Sequence, residues 1–521
     1  MIEGGTRGIS ESRPSLAGAL AVAFVALVTG LVAITAESLW IDEFASLQVA
    51  GHRAFGEALR ALRGSPESDG QMPIYMLWLW AWIRLFGDSE WALRAANIPW
   101  FVVGAVGLVH WSRRGQISST LILVMLVCLS PFLWFYLNEV RPYIMQFAGA
   151  ALFLGGVLAT IFVGSRGTCM RFEAADCWAA ALGAVLLCGT SLLGVPWLLA
   201  GLLVLALLWR SGKFEVNRSC LPSTLIGAVL LLILAVHYVE TLRRGAGPYI
   251  NDSPFFLTLG FSLYELLGFV GLGPSRLDLR QSGISELRPF VPVLLASAII
   301  WTTAIGVAAR RPGQEPEANH RLVLYILALV TLPLIFLGVL SEWRSFRVLG
   351  RHMTPLLPVL LLVLGATLSA LRSSSRSWHS LVLAAPLLLW AFSAASWRVS
   401  ERHRKDDYQT ASQVAAEALS QGKTVWWAAH YFGAAYYGLP LEPGEGAAAS
   451  VVQSRQTPAF WGFYSPRPEE LRGLSPPDLL IISKADTFDG HGALYAFATD
   501  HGYQEPVVAA AFRFYSRKPA D

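Results

Sequence analysis

Charge is what this sequence has least of. Acidic and basic residues make up 15% of the 521 residues, against 54% hydrophobic, whereas a soluble domain carries about a quarter charged residues because water must solvate its surface. That shortage excludes an ordinary soluble enzyme, and lipid must face much of the chain. Lysine is scarcer still, at five residues, and the formal net charge is only +4. The basic residues are scattered through loops and form no block, which excludes a nucleic-acid binder. The excess of arginine over lysine, with abundant alanine, suits a bacterium with a GC-rich genome. Cysteine is rare: Cys128, Cys169, Cys177, Cys188 and Cys220 lie in or beside apolar runs with no CxxC pair, and they suggest neither a disulfide scaffold nor a zinc site. No GxGxxG or P-loop sequence has a fitting strand and helix around it, so no nucleotide site is expected.

Long apolar runs are what the sequence does have. A helix needs about 20 apolar residues to cross ~30 Å of hydrocarbon, and the candidates are 16–36, 91–111, 117–137, 143–163, 177–192, 194–209, 221–239, 290–309, 322–340, 353–371 and 380–397. The expected fold class is therefore an α-helical polytopic membrane protein with about eleven crossings. Arg7 and Arg13 precede the first run, which reads as an uncleaved anchor with its N-terminus inside. Placing Arg113, Arg114, Arg166, Arg171, Arg210, Lys213, Arg218, Arg310, Arg311, Arg372 and Arg376 inside requires two crossings between Cys177 and Trp209 and leaves the C-terminus outside. Residues 1–397 then form the membrane domain, with 38–90 as an outer loop, and 398–521 a small outer domain. In that tail Asp478–Ser483 and Val507–Ser516 read as strands and Ala493–His501 as a helix, preceded by a helix over 407–419 and a strand over 424–429, so the domain is expected to be α/β with a short parallel or mixed sheet.

Four polar islands interrupt the apolar sequence on the expected outer side. The first, Trp40-Ile41-Asp42-Glu43, sets two carboxylates beside the membrane. They suit the N-terminus of a helix beginning near Ala45, and a carboxylate at the rim of an apolar cavity also suits a general base that accepts a proton from an attacking hydroxyl. The second is Asp69-Gly70-Gln71-Met72-Pro73-Ile74-Tyr75, followed by Trp78, Trp80 and Trp82 and a Phe86-Gly87-Asp88-Ser89-Glu90-Trp91-Ala92-Leu93-Arg94 run; 73–86 reads as a helix at the outer interface. The third is Asn138-Glu139-Val140-Arg141-Pro142-Tyr143, and the fourth runs from Ser341 through Arg344, Arg347 and Arg351 to His352. Outer arginines run against the positive-inside bias and need counter-ions, either local acids such as Glu139 and Glu342 or a lipid phosphate held by the guanidinium fork. Farther on, Trp426, Trp427, Tyr431, Tyr436, Tyr437, Trp461 and Tyr464 suit either sugar stacking or packing, with packing favoured, and His430, His491 and His501 lack metal-ligand spacing.

In this order, the Trp-x-Asp-Glu after the first span, the Pro-x-Tyr entry into Trp-rich sequence, the Phe-Gly-x-Ser-Glu-Trp-Ala-Leu-Arg run, the Glu-x-Arg-Pro-Tyr island and the late Arg-His-x-x-Pro-x-x-Pro resemble the GT-C glycosyltransferases of the protein mannosyltransferase and lipid A aminoarabinose transferase type. The resemblance covers about 16–397, and Lys405-Asp406-Asp407-Tyr408 resembles the entry to the C-terminal domain of bacterial members. It implies an inverting enzyme of the bacterial inner membrane that moves a monosaccharide from a polyprenyl-phosphate donor to a lipid, glycan or protein acceptor on the outer side. It also implies Asp42 as catalytic base with Glu43 orienting it or the acceptor, and Gln71, Tyr75, Glu139, Arg141, Tyr143, Arg351 and His352 at the substrates. Arg344 and Arg347 are added from charge placement alone. Gln71 departs from the pattern, since many relatives carry His or Lys there. No metal or cofactor is expected, because the branches resembled do not depend on a divalent ion. The competing reading is a transporter or flippase of a lipid-linked sugar, although no inverted repeat is visible and the polar islands gather on one side.

Overall fold

The computed structural model describes residues 16–65, 68–244, 254–309, 316–344, 348–372, 377–439, 459–460 and 465–517. Among these, eight helices are long and apolar enough to cross a membrane, and they fall on eight of the eleven apolar runs. The other three runs depart from upright spans for local reasons. The run 117–137 divides into helices Thr120–Leu129 and Pro131–Leu137, bent by 52°, because Pro131 lacks an amide hydrogen and Ser130 accepts a cap from the Leu133 N–H. The runs 177–192 and 353–371 form the shorter helices Ala174–Gly189 and Leu356–Arg372, near the lower length limit for a span.

Small residues bring helices of this bundle close enough for backbone contact. An added Cβ on Gly149 of helix Tyr143–Ser165 would lie 2.6 Å from the Leu187 nitrogen, and one on Gly183 would lie 2.6 Å from the Phe153 nitrogen, so helices Tyr143–Ser165 and Ala174–Gly189 touch through their main chains. Gly155 and Gly156 of the same helix accept the face of buried Trp111 from helix Ile98–Arg114. Tyr143–Ser165 is thereby the central, most enclosed helix. Helices Leu221–Arg243, Val291–Ala309 and Pro316–Arg344 instead turn broad apolar faces outward, as lipid contact demands.

At one end of the bundle strands β1 (Met170–Phe172) and β2 (Phe214–Val216) pair in parallel. Near them Cys177 and Cys220 form a disulfide, with Cα atoms 5.5 Å apart, which corrects the expectation of unlinked cysteines. Helices Ala174–Gly189 and Leu221–Arg243 pack side by side and start at the same level, a juxtaposition that no local spacing reveals.

The opposite end carries the C-terminal domain. Helix Tyr408–Ser420 leads into a mixed sheet of strands β3 (Val425–Ala428), β4 (Ala459–Phe460), β5 (Leu479–Ser483), β6 (Val507–Ala509) and β7 (Phe512–Ser516), ordered β4-β3-β5-β7-β6. The first three are mutually parallel, and β5, β7 and β6 are antiparallel in turn. The expected single strand 507–516 is thus a hairpin. Ala510 makes the turn at φ +49°, a left-handed conformation usually left to glycine or asparagine, and the sequence carries neither there.

Candidate functional site

The first three polar islands and the 348–352 end of the fourth meet beneath the C-terminal domain, each where a bundle helix begins or ends at that end. Trp40 caps helix Ile41–Ala50, whose first turn carries Asp42 and Glu43, and the two carboxylates have opposite surroundings. Glu43 is completely buried. One of its oxygens accepts from the Trp40 N–H at 3.1 Å and from Arg94 Nη2 at 3.1 Å, and the other accepts from Arg94 Nε at 3.3 Å and the Val140 N–H at 2.9 Å. Arg94, whose place in the Phe-Gly-x-Ser-Glu-Trp-Ala-Leu-Arg run carries no local sign of this role, also donates to the carbonyls of Thr35, Glu37 and Ser38. The pair staples the end of the first span to the 138–143 island and leaves Glu43 no lone pair for a substrate.

Asp42 keeps 27% of its side chain exposed. Its Oδ2 lies 2.6 Å from Arg351 Nη1, and Arg141 Nη1 donates to its carbonyl at 3.2 Å. Burial alone raises the Asp42 pKa, but the Arg351, Arg141 and Lys484 charges outweigh it and hold the group at about 2. Arg141, 2% exposed, is itself paired with buried Asp69 at 2.6 Å and donates to Ser46 at 3.1 Å. Asp69 is therefore the counter-ion of the Arg-Pro-Tyr island, 72 residues away in sequence. Tyr143 is buried beside both arginines, with Arg351 6.0 Å above its ring.

Glu139 is 1% exposed, and neither of its carboxylate oxygens receives a direct hydrogen bond among the described residues. Lys405 Nζ and Arg276 Nη1 stand 3.9 Å away. Burial pushes its pKa up, and these two cations and Arg351 offset that only in part. Arg276, which no sequence motif marks, is paired with buried Glu265, donates to the Tyr136 hydroxyl at 2.9 Å and lies 3.8 Å over the Phe135 ring. Lys405 donates to the Asn138 carbonyl. His352 accepts the Leu349 N–H at 3.0 Å through Nδ1, and burial, with the Arg351 and Arg141 charges, lowers its pKa and keeps it neutral.

The remaining sequence candidates are less engaged. Tyr75 is fully buried in helix Pro73–Phe86, and the Gln71 carbonyl accepts from the Tyr238 hydroxyl at 3.2 Å. Arg347, Trp461 and Tyr464 lie outside the described residues, as does the side chain of Arg344. Trp426 and Trp427 are core residues of the sheet, 1% and 0% exposed, and the Tyr437 hydroxyl accepts from the Leu39 N–H at 2.9 Å, linking the C-terminal domain to the end of the first span. Among the described residues no group of three His, Cys, Asp or Glu side chains is arranged to hold a metal ion.

The chain is similar to solved membrane-protein structures. ArnT from Cupriavidus metallidurans, in its apo state, shares 13% identity over 96% of this chain and 99% of that one, with a TM-score of 0.47. The arabinofuranosyltransferase AftD from Mycobacteria shares 16% identity over 98% of this chain and 40% of that one, with a TM-score of 0.45. No protein-family profile and no curated protein matches the sequence.

Beside the carboxylates a cavity of about 250 Å³ opens between the ends of the first and last spans, lined by Glu37, Trp134, Trp397, Arg398, Arg404 and Lys405 among others. Lys405 is the wall it shares with Glu139. The arrangement thus offers one accessible carboxylate, several fixed cations and a basic cavity at a single end of a lipid-embedded bundle. A carboxylate facing fixed guanidinium groups can deprotonate a hydroxyl and stabilise a phosphate leaving group beside it.

Proposed function

We propose that this protein is an inverting membrane glycosyltransferase that moves a monosaccharide from a polyprenyl-phosphate donor to a lipid, glycan or protein acceptor on the outer face of a bacterial inner membrane. The observation that carries the reading is the division of labour between adjacent carboxylates: Glu43 is consumed by structure, while Asp42 stays partly open and faces Arg351 and Arg141.

As the glycosidic bond breaks, negative charge grows on the departing phosphate, and guanidinium groups already fixed in a partly dry chamber stabilise that charge without reorganising. Asp42 takes the proton of the acceptor hydroxyl as it attacks the opposite face of the anomeric carbon. With Arg351 2.6 Å away, Asp42 is a weak base; the donor phosphate competes for that guanidinium, and the basicity of Asp42 rises as the donor settles. Donor binding therefore primes the base. The absence of a direct hydrogen bond to either Glu139 oxygen among the described residues supports a role for this carboxylate as an acceptor for hydroxyls of the sugar.

The test is transfer of labelled sugar by purified protein from a panel of synthetic polyprenyl-phosphate monosaccharides, with water and total membrane glycans as acceptors. One donor should give transfer or hydrolysis, and Asp42→Asn should lower turnover by about 10²–10⁴-fold while keeping donor affinity. Unchanged transfer by Asp42→Asn sinks the base assignment, and silence from every donor with a folded sample turns the reading toward lipid-linked sugar transport.

A further inference from the structure

Two of the five lysines of the chain are drawn against the site, Lys405 and Lys484, and Lys484 comes from the C-terminal domain. In parallel sheets the crevice beyond the carboxyl ends of the strands is where ligands and functional groups collect. Here β3 runs through Ala429 into His430, which stacks on Phe44 with ring centroids 6.2 Å apart, and parallel β5 runs straight into Lys484. Both strand ends are aimed at helix Ile41–Ala50.

Lys484 is held there at some conformational cost. Its backbone is left-handed, φ 39° and ψ 77°, a state that L side chains rarely adopt and that persists where surrounding contacts over-determine it, most often at functional positions. Its N–H donates to the Ala511 carbonyl at 2.9 Å, and its carbonyl accepts from Thr487 at 2.7 Å and Phe488 at 3.0 Å. The side chain, only 7% exposed, reaches out of the domain: Nζ lies 2.7 Å from Asp406 Oδ2 and 4.8 Å from the Trp40 ring centroid. Trp40 is the cap of the turn that carries Asp42.

We propose that Lys484 is a positioning residue through which the C-terminal domain completes the site, its ammonium paired with Asp406 and seated on Trp40 so that the turn beginning at Trp40 presents Asp42 in a fixed orientation. The inference rests on the reading of Asp42 as the base. The groups that act on Asp42 are Arg351 from the 350–353 turn, Arg141 and Tyr143 from the third island, and His430 and Lys484 from the C-terminal domain. His430 is neutral above pH about 4, since burial and Lys484 outweigh the attraction of Asp42, so Lys484 is the charge this domain contributes to Asp42.

The experiment uses the full-length protein and the variants Lys484→Met, Lys484→Arg and Lys484→Gly. Protonation of Asp42 is followed by infrared difference spectroscopy, its band identified by absence from Asp42→Asn, with thermal melting recorded alongside. The midpoint should rise by about half a unit to one unit in Lys484→Met, return in Lys484→Arg, and rise in Lys484→Gly even though glycine relieves the left-handed backbone and keeps the fold. An unmoved midpoint in Lys484→Met or Lys484→Gly overturns the proposal, as does a fold that Lys484→Arg alone sustains. The donor panel is read separately: absence of transfer with a responsive Asp42 sinks the glycosyltransferase reading alone, and transfer with an unresponsive Asp42 sinks this one.

Discussion

Arg94 grips both oxygens of Glu43, at 3.3 and 3.1 Å, with neither side chain reached by solvent. Removing one partner of such a buried pair leaves the other charge stranded, a loss of about 3–5 kcal/mol. Arg94→Met should therefore destabilise the protein by that amount, and Glu43→Gln by less, since the amide oxygen still accepts from the Val140 N–H. Denaturation of the detergent-solubilised protein measures both. Equal activity per folded molecule in Glu43→Gln and the parent protein would mean that Glu43 serves structure alone.

Arg351 is the nearest cation to Asp42, so its removal raises the Asp42 pKa. In Arg351→Met the acid limb of the rate profile should move up from near pH 2 toward the ordinary carboxylate value of about 4, and donor KM should rise. Arg351→Lys restores the charge and so the limb, but not the bidentate fork, and donor affinity stays weak. The same depressed pKa makes Asp42 a stabilising charge above its unfolded value that is lost as pH falls from about 4 to about 2, so the melting temperature of Asp42→Asn should show a smaller fall across that window than the parent protein.

The Cys177–Cys220 disulfide closes a loop of sequence separation 43 and ties two helices at their starts. Cys177→Ser should cost about 2–4 kcal/mol of stability and leave turnover unchanged, because the site lies at the other end of the bundle. Reducing agent should lower the melting temperature of the parent protein and not of the variant.

A Cβ added at Gly149 would meet main-chain atoms of the neighbouring helix at 2.6 and 3.0 Å, and backbone cannot step aside as a side chain can. Gly149→Val should destabilise by about 1–3 kcal/mol or more, read by the yield of monodisperse protein and its melting temperature. Gly306→Val, where nothing lies within 4 Å, is the matched control and should be neutral.

Hydropathy located the helices well because lipid imposes a length and a composition on each span without reference to its neighbours. Asp42 and Arg351 were legible as candidates for the same reason: a charge at the membrane edge stands out against apolar sequence. What the sequence could not convey was pairing. Asp42 and Glu43 are adjacent and chemically alike, and only Arg94, 51 residues on, separates their roles. Arg276 and Lys484 carried no local signal either, since each reaches the site from an element whose docking depends on the whole fold. Cys177 and Cys220 look alike in sequence to Cys128 and Cys188, which stay unlinked, and the Ala510 turn lacks the residues that announce such turns.

The glycine contact between helices Tyr143–Ser165 and Ala174–Gly189 divides the molecule mechanically. Two helices joined main chain to main chain move as one rod, and with Trp111 wedged on the glycines of the first helix that rod extends to a third. The helices Val291–Ala309 and Pro316–Arg344 have few buried residues, so they are where the bundle yields at least expense. Any parting of the bundle then falls on this loose flank, while the rigid flank, whose first helix begins just after Arg141, keeps that residue in register with Asp69.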